Sequence, residues 1–389
     1  MIKIINGSVI RNGAIEKTNL YIECGKIKRI TNENLPADTV IDAAGKYVSP
    51  GFIDTHVHGG GNADFMDGGI EPMRVAAKTH LLHGTTSISP TTLSCPYEDL
   101  KKALLDYKEL TLESGKCGMP NLIGMHFEGP YFALSQAGAQ PPSCIYPPKK
   151  AEYEELLSIA EGAISKWSFA PELPGALEFC EKISNSGIVA SIGHTEATYD
   201  DVLAAYEHGA SCMTHFYSCM PTITRKNGYR IPGAVEAAYL LRDMWIEVIA
   251  DGSHIPPVLL KMIVANRGVE RMLLITDAMR GATMPEGPSI LGRLEGGHKC
   301  IIENGIALMP DRTCFAGSVA TTDRLVRTFY KNNVVTLPVA VELASLKPAQ
   351  SLGLKTKGAL REGYDADIIF FDDNINVSFV MVNGTVVKS

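Results

Sequence analysis

Apolar residues along this chain fall into two regimes. Near both ends they alternate with polar ones over short runs, at Ile2 to Ile5, Leu20 to Glu23, Lys26 to Ile30 and Val40 to Asp42, then again at Asp367 to Phe371, Val377 to Val382 and Thr385 to Lys388. Period-two alternation describes strands with one buried face, and pairs such as Cys24-Gly25 and Asn383-Gly384 supply the turns between them. The two ends are therefore expected to meet in one small β-sandwich domain, residues 1–49 with 357–389. Residues 50–356 read differently. Apolar strand-like runs at Phe52 to His56, Thr85 to Ser89, Leu122 to Phe127, Lys166 to Phe169, Val189 to Gly193, Cys212 to His215, Glu247 to Ala250 and Met272 to Thr276 are separated by longer segments. Several of those, Pro96 to Glu113, Ala151 to Glu161, Gly175 to Ser186, Tyr199 to Glu207 and Pro257 to Asn266, carry apolar residues at helical spacing. Eight βα units predict an α/β protein, a (β/α)8 TIM barrel with the small discontinuous domain beside it. An open doubly wound sheet would want a glycine-rich phosphate turn after an early strand, and Gly59-Gly60-Gly61 lacks that spacing.

Composition narrows the partners. With 389 residues, 45% of them hydrophobic and 20% charged, the chain can bury one large core and a smaller one. A net charge of −7 argues against nucleic acid or an anionic membrane surface, while leaving room for a local basic pocket. Nine cysteines without a CxxC pair, an amino terminus without a signal-peptide pattern and the lack of any bilayer-length apolar run predict a cytoplasmic protein with mostly buried thiols.

The barrel reading gives the polar residues a common address. In Phe52-Ile53-Asp54-Thr55-His56-Val57-His58 the two imidazoles stand at i and i+2 of an extended segment, so they leave one face and can reach one cation. Glu128, His194, His215 and Asp277 then follow, each closing an apolar run. On a barrel all six fall at carboxyl ends of strands and face one cavity. Any single histidine here reads equally well as a satisfied core residue, and Asp277 as a helix N-cap. The ordered set is the composition of a hydrolytic metal centre. His80, His83, His208 and His298 fit no motif.

The stretch Pro50 to Gly60 resembles the opening of the amidohydrolase superfamily. Within that superfamily, His126-Phe127-Glu128-Gly129-Pro130, Ala170-Pro171-Glu172, Gly193-His194-Thr195-Glu196-Ala197-Thr198-Tyr199, Thr214-His215-Phe216-Tyr217, Asp251-Gly252-Ser253-His254 and Thr276-Asp277-Ala278 resemble, in order, the blocks of the deacetylases of amino-sugar 6-phosphates. The similarity spans essentially the full chain, ending in Gly358 to Asp367. It implies metal-dependent removal of the acetyl group of N-acetylglucosamine 6-phosphate, with Glu128, His194 and His215 holding the main divalent ion and His56 and His58 able to hold a second. One or two ions per subunit follow, and zinc and iron both suit imidazole and carboxylate. Lys166 starts its run rather than ending it, so Glu128 is the better bridge than a carbamylated lysine. Asp277 would take a proton from water and return it to the departing amine.

On the substrate side the resemblance makes Arg230 a phosphate-binding residue that crosses the interface of a homodimer, with His254 as a second phosphate contact and Gln140 near the substrate carbonyl. Two features depart from the family pattern. Ser218-Cys219 stands where many relatives have Asn-Ala against the phosphate, and Arg225 to Tyr229 reads as an insertion. Selectivity for the 6-phosphate is thereby open. The alternatives are an amidohydrolase for another amide, such as an unphosphorylated or epimeric N-acetylhexosamine or an N-acyl amino acid, and a non-catalytic scaffold, which would have no use for the complete ligand set.

Overall fold

The computed structural model describes residues 1–389 and contains a nearly closed barrel of eight parallel strands: β1 (Phe52–Val57), β2 (Thr85–Thr92), β3 (Met125–Glu128), β4 (Ile164–Phe169), β5 (Val189–Ile192), β6 (Ala210–Met213), β7 (Trp245–Val248) and β8 (Met272–Leu274). Each pairs in parallel with the next. The ring closes through a parallel bridge of Val57 to Ala278, with Asp277 N donating to His56 O at 2.9 Å and His58 N to Ala278 O at 2.8 Å. Asp54 pins the same seam, its carboxylate accepting from Thr276 Oγ1 at 2.5 Å and from Thr276 N at 3.3 Å. Burial pushes the Asp54 carboxyl up to about 6, and the hydrogen bonds from Thr276 and His56 counter that rise.

All eight expected strands form, with shifted ends. The third is interrupted: Asn121–Leu122 and Met125–Glu128 are separate because Gly124 turns at φ 97°, where a Cβ would sit 2.5 Å from Ser165 Cβ. The expected helices appear as Tyr97–Leu110, Lys150–Ala160, Ala176–Asn185, Tyr199–Glu207 and Pro257–Arg267. Several elements were not anticipated by periodicity. They include the helices Ile70–Leu81, Ala234–Leu240 and Thr322–Lys331, the two short helices Leu337–Leu343 and Leu346–Ser351, the short antiparallel pair Gly59–Gly60 with Ala63–Asp64, and two larger sets of antiparallel strands outside the barrel. One set is the hairpin of Thr224–Lys226 with Tyr229–Ile231, which is the Arg225–Tyr229 segment. The other is a three-stranded meander of Gly287–Leu291, His298–Glu303 and Ile306–Leu308. No helix is long and apolar enough to cross a membrane.

The terminal segments build two further sheets. Ile2–Ile5, Asn19–Glu23, Lys26–Thr31 and Thr39–Asp42 form a four-stranded sheet, and Ser8–Arg11, Ala14–Glu16 and Tyr47–Pro50 join the three C-terminal strands in a six-stranded one. Ile368–Phe371 lies antiparallel to Tyr47–Pro50, so the two ends of the chain share a sheet. Between the sheets is a separate core of 13 buried residues, small enough that one aromatic pair matters: Phe370 and Phe379 stack at 4.1 Å between ring centroids. Phe370→Ala should lower stability by about 3–5 kcal/mol, the usual cost of emptying a buried aromatic site. Urea unfolding followed by circular dichroism measures it, and a loss below about 1 kcal/mol would mean that this core does not unfold cooperatively with the rest.

Candidate metal centre and cavity

The mouth of the barrel gathers six side chains into two groups of possible ligands, His56, His58 and Asp277 in one, Glu128, His194 and His215 in the other. Extended geometry in β1 aims both its histidines inward, as the i, i+2 spacing requires. The other positions depend on turns. His194, His215 and Asp277 lie one or more residues beyond their strands with φ of 48°, 30° and 50°. A left-handed backbone at a non-glycine residue costs roughly 1–3 kcal/mol and persists where the surroundings dictate it. Here it folds each side chain back over the barrel axis.

Neighbouring blocks hold those turns. Glu172 accepts from Thr195 Oγ1 at 2.5 Å and from Glu196 N at 2.6 Å, clamping the segment after His194. Thr198 and Asp201 then form a reciprocal capping box that starts the helix Tyr199–Glu207. Asp251 performs a similar task, accepting from Ser253 N, His254 N and His254 Nδ1 at 2.8–2.9 Å, which leaves His254 Nε2 as the free ring nitrogen.

Glu128 is the shared member. His215 Nε2 lies 3.0 Å and His194 Nε2 3.4 Å from its Oε1, while His56 Nε2 and His58 Nε2 each lie 3.4 Å from one of its oxygens. Asp277 Oδ1 is 3.0 Å from His58 Nε2 and 3.5 Å from His56 Nε2. In addition, two pairs of imidazole Nε2 atoms face each other, 3.0 Å apart for His194 and His215 and 3.3 Å for His56 and His58. Lone pairs so close, against two buried carboxylates, require positive charge among them. Burial disfavours a charged Glu128, yet His56 and the hydrogen bonds from the histidines hold its carboxyl well below the usual range. Burial opposes charge on His56 too, but Glu128 and Asp277 raise it to about 10. A divalent cation in each group would replace those protons, so the donor set fits metal.

A second layer orients the ligands. Gln140 Nε2 donates to Glu128 Oε2 at 2.6 Å, and Ser94 N donates to Gln140 Oε1 at 2.7 Å, which fixes the amide's orientation. Gln140 thus lines the cavity while its amide nitrogen is engaged with Glu128. His194 Nδ1 donates to Gln136 O at 2.8 Å, leaving Nε2 for the site. His56 Nδ1 lies 3.1 Å from Glu247 Oε2, and the other oxygen of Glu247 pairs with Lys166 deep in the barrel. This ion pair accounts for Lys166: its ammonium is directed to Glu247 on β7. Below, hydroxyls of Ser168, Thr214 and Ser191 and the His126 ring form a hydrogen-bonded chain with steps of 2.6–2.7 Å. Reading the sequence did not assign Glu247, Lys166 or Asp54 a role, although a charge inside Trp245-Ile246-Glu247-Val248 was the available signal.

Above the six ligands opens a cavity of about 370 Å³, lined by His58, Glu128, His194, His215 and Asp277 at its floor and by Gln140, Ser218, Cys219 and His254 on its walls, near the lower end of small-molecule sites, roughly 300–1,000 Å³. Gly138, at φ 57°, brings the 137–140 loop so close that a Cβ would stand 2.7 Å from Cys219 Sγ. Arg230 is the one expected site residue that the fold does not bring here. It stands exposed on the Thr224–Ile231 hairpin, outside this chain's own cavity. The unpredicted meander contributes Leu291 and Leu308, and the segment after it Arg312, Thr313, Cys314, Phe315 and Gly317. Of the unassigned histidines, His80 bonds Gly59 O, His83 lies 3.5 Å from Asp323 and His208 bonds Ala204 O.

Comparison with known proteins agrees with this geometry. The amidohydrolase family model matches residues 47–387. The chain is 32% identical over 376 residues to the N-acetylglucosamine-6-phosphate deacetylase of Lysinibacillus sphaericus, covering 96% of this chain and 93% of that one. It is 30% identical to the N-acetylgalactosamine-6-phosphate deacetylase of Escherichia coli O157:H7, covering 96% and 95%. Among solved structures, a mutant N-acetyl-D-glucosamine-6-phosphate deacetylase of Mycobacterium smegmatis, in complex with N-acetyl-D-glucosamine 6-phosphate, superimposes with a TM-score of 0.89 at 29% identity over 100% and 99% of the two chains.

Because Glu128 reaches all four histidines, it is the position where a neutral side chain should cost most. Glu128→Gln should lower bound divalent metal at least tenfold in protein purified with excess metal and then desalted. Elemental analysis reads the outcome, and full metal content in the variant would remove Glu128 from the ligand set.

Proposed function

The chain belongs to the amidohydrolase family, and from that premise we propose that it hydrolyses the N-acetyl group of N-acetylglucosamine 6-phosphate to acetate and glucosamine 6-phosphate, within amino-sugar metabolism. The observation that carries the reading is the pair of ligand groups sharing Glu128 at the floor of a small polar-walled cavity, in a chain similar throughout its length to deacetylases of such sugars. A divalent ion, zinc or iron, held by Glu128, His194 and His215, with a second at His56 and His58, would supply a Lewis acid for the acetyl carbonyl and acidify water. The remaining chemistry falls to the chain's own groups. Asp277, whose carboxyl His56 and His58 keep ionised against the pull of burial, accepts a proton as water adds to the carbonyl carbon. It returns that proton to the amide nitrogen, because an amine leaves where an amide anion does not. The C–N bond breaks, and acetate and the free amine result. Glu247 and Gln140 hold His56 and Glu128 in register as charge moves.

Selectivity rests on the outer walls. His254 Nε2, Ser218 and Cys219, which line the cavity wall, would meet the sugar phosphate, while Arg230, exposed and remote from its own cavity, suits a role in a neighbouring subunit's site within a homodimer. A cytoplasmic setting suits nine cysteines with no disulfide among them. The similarity to an N-acetylgalactosamine-6-phosphate deacetylase makes the C4 epimer the second substrate to test.

Acetate release by metal-loaded protein should be fastest, by kcat/KM, on N-acetylglucosamine 6-phosphate in a panel with its galacto epimer, the unphosphorylated sugar and an N-acetyl amino acid. Preference for any other member replaces the substrate named here. Asp277→Asn should reduce kcat about a hundredfold to ten-thousandfold while the ion at Glu128, His194 and His215 remains bound. A variant with near-normal turnover would assign the proton transfer to another group.

A further inference from the structure

The phosphate reading above leaves a physical gap. Within one subunit, a dianion entering the cavity makes no contact with that subunit's own Arg230, which lies on an exposed hairpin elsewhere and would reach a phosphate only from a neighbouring subunit. One arginine does line the cavity, and neither periodicity nor motif singles it out. Arg312 sits at the tip of the segment that follows the meander, where Met309 and Cys314 face each other through Met309 N donating to Cys314 O at 3.0 Å. Its backbone has φ 60°, and Arg312 N donates to Met309 O at 2.8 Å, so the turn is closed around a non-glycine residue in the left-handed region. Asp311 accepts from Thr313 N and Oγ1 and stiffens the same tip.

Two contacts connect this tip to the His254 wall. The Phe315 ring packs on the His254 ring at 4.2 Å between centroids. Arg324 donates to Gly305 O at 2.8 Å and to Asp251 O at 2.9 Å, tying the meander to the residue that orients His254. The guanidinium of Arg312 has one protein partner, Glu303 Oε2 at 2.8 Å, and both side chains are partly open to solvent at 55% and 30%. An ion pair so exposed contributes little and exchanges readily. Most of the five N–H donors are free for a planar, charge-assisted contact with phosphate oxygens.

We propose that Arg312 is a specificity-determining residue that binds the substrate's phosphate from within the same subunit, opposite His254, and this rests on the phosphorylated-sugar reading above. The chain's departure at Ser218-Cys219 then has a counterpart: a guanidinium on a neighbouring loop supplies charge where an asparagine side chain is missing. Phosphate binding would draw Arg312 from Glu303 toward His254, and the meander tip would form the outer wall over the bound sugar.

The test compares kcat/KM of wild type, Arg312→Gly, Arg312→Lys and Arg230→Ala on N-acetylglucosamine 6-phosphate and on N-acetylglucosamine. Glycine suits the backbone at φ 60°, so Arg312→Gly removes the charge without straining the turn. The expected result is a fall of about tenfold to a hundredfold on the phosphorylated sugar, mostly through KM, with the plain sugar changed less than about twofold. Arg312→Lys should recover part of the loss. If the wild type strongly prefers the phosphorylated sugar and Arg312→Gly keeps that preference while Arg230→Ala abolishes it, Arg312 has no part in recognition and the proposal alone fails. Equal losses on both sugars would reassign Arg312 to loop structure and likewise overturn it. A wild type indifferent to phosphate would overturn the phosphorylated-sugar reading as well.

Discussion

One buried carboxylate organises this molecule. Glu128 lies within 3.4 Å of an Nε2 atom from each of four histidines carried by three different barrel strands or the turns beyond them. Removing a carboxylate from water costs several kcal/mol, and only nearby positive charge and hydrogen bonds offset it. The charge comes from the surrounding histidines, a donor set that also fits a cation, and the hydrogen bond comes from Gln140, itself fixed by a backbone N–H. The loop carrying Gln140, the turns carrying His194 and His215, and the seam carrying Asp277 are therefore constrained together.

The same reasoning explains why the barrel interior is polar. A TIM barrel is ordinarily filled by branched apolar side chains. Here the layers beneath the mouth contain His126, Lys166, Ser168, Ser191, Thr214 and Glu247, all buried. They are not scattered. Lys166 neutralises Glu247, Glu247 orients His56, and the hydroxyl chain links to His126. Burial opposes an ionised Glu247, while Lys166 and His56 keep its carboxyl below the ordinary value. Charge under the site is thus paired, and it contacts the candidate ligand His56 instead of apolar neighbours.

Outside the barrel the additions divide the labour. The terminal sheets have their own core and contribute no residue to the cavity. The meander and the segment following it supply most of the cavity's apolar wall and its one arginine, at a level above the ligands. The candidate metal ligands thus stand on strand ends of the ring or in the turns just beyond them, while the cavity walls come both from loops within the barrel and from segments that follow its eighth strand.

The sequence by itself determined the eight strands, the pairing of the chain's two ends, and the candidate ligands and their order, because period-two and continuous apolar runs are local signals and strand ends of a barrel converge by symmetry. His56 and His58 were legible even as a pair, since i, i+2 spacing fixes their common face. What only the tertiary structure decided were partnerships between residues far apart in the chain. Lys166 with Glu247, Asp54 with Thr276 and Gln140 with Glu128 leave no mark of periodicity, since a hydrogen bond depends on distance and direction, and these are set when separate strands are brought side by side. Arg230 and Arg312 make the same point: both are arginines in polar, turn-rich sequence, and only the packing of the segment after the meander against His254, through Phe315, puts one in the cavity, while the hairpin's projection leaves the other outside.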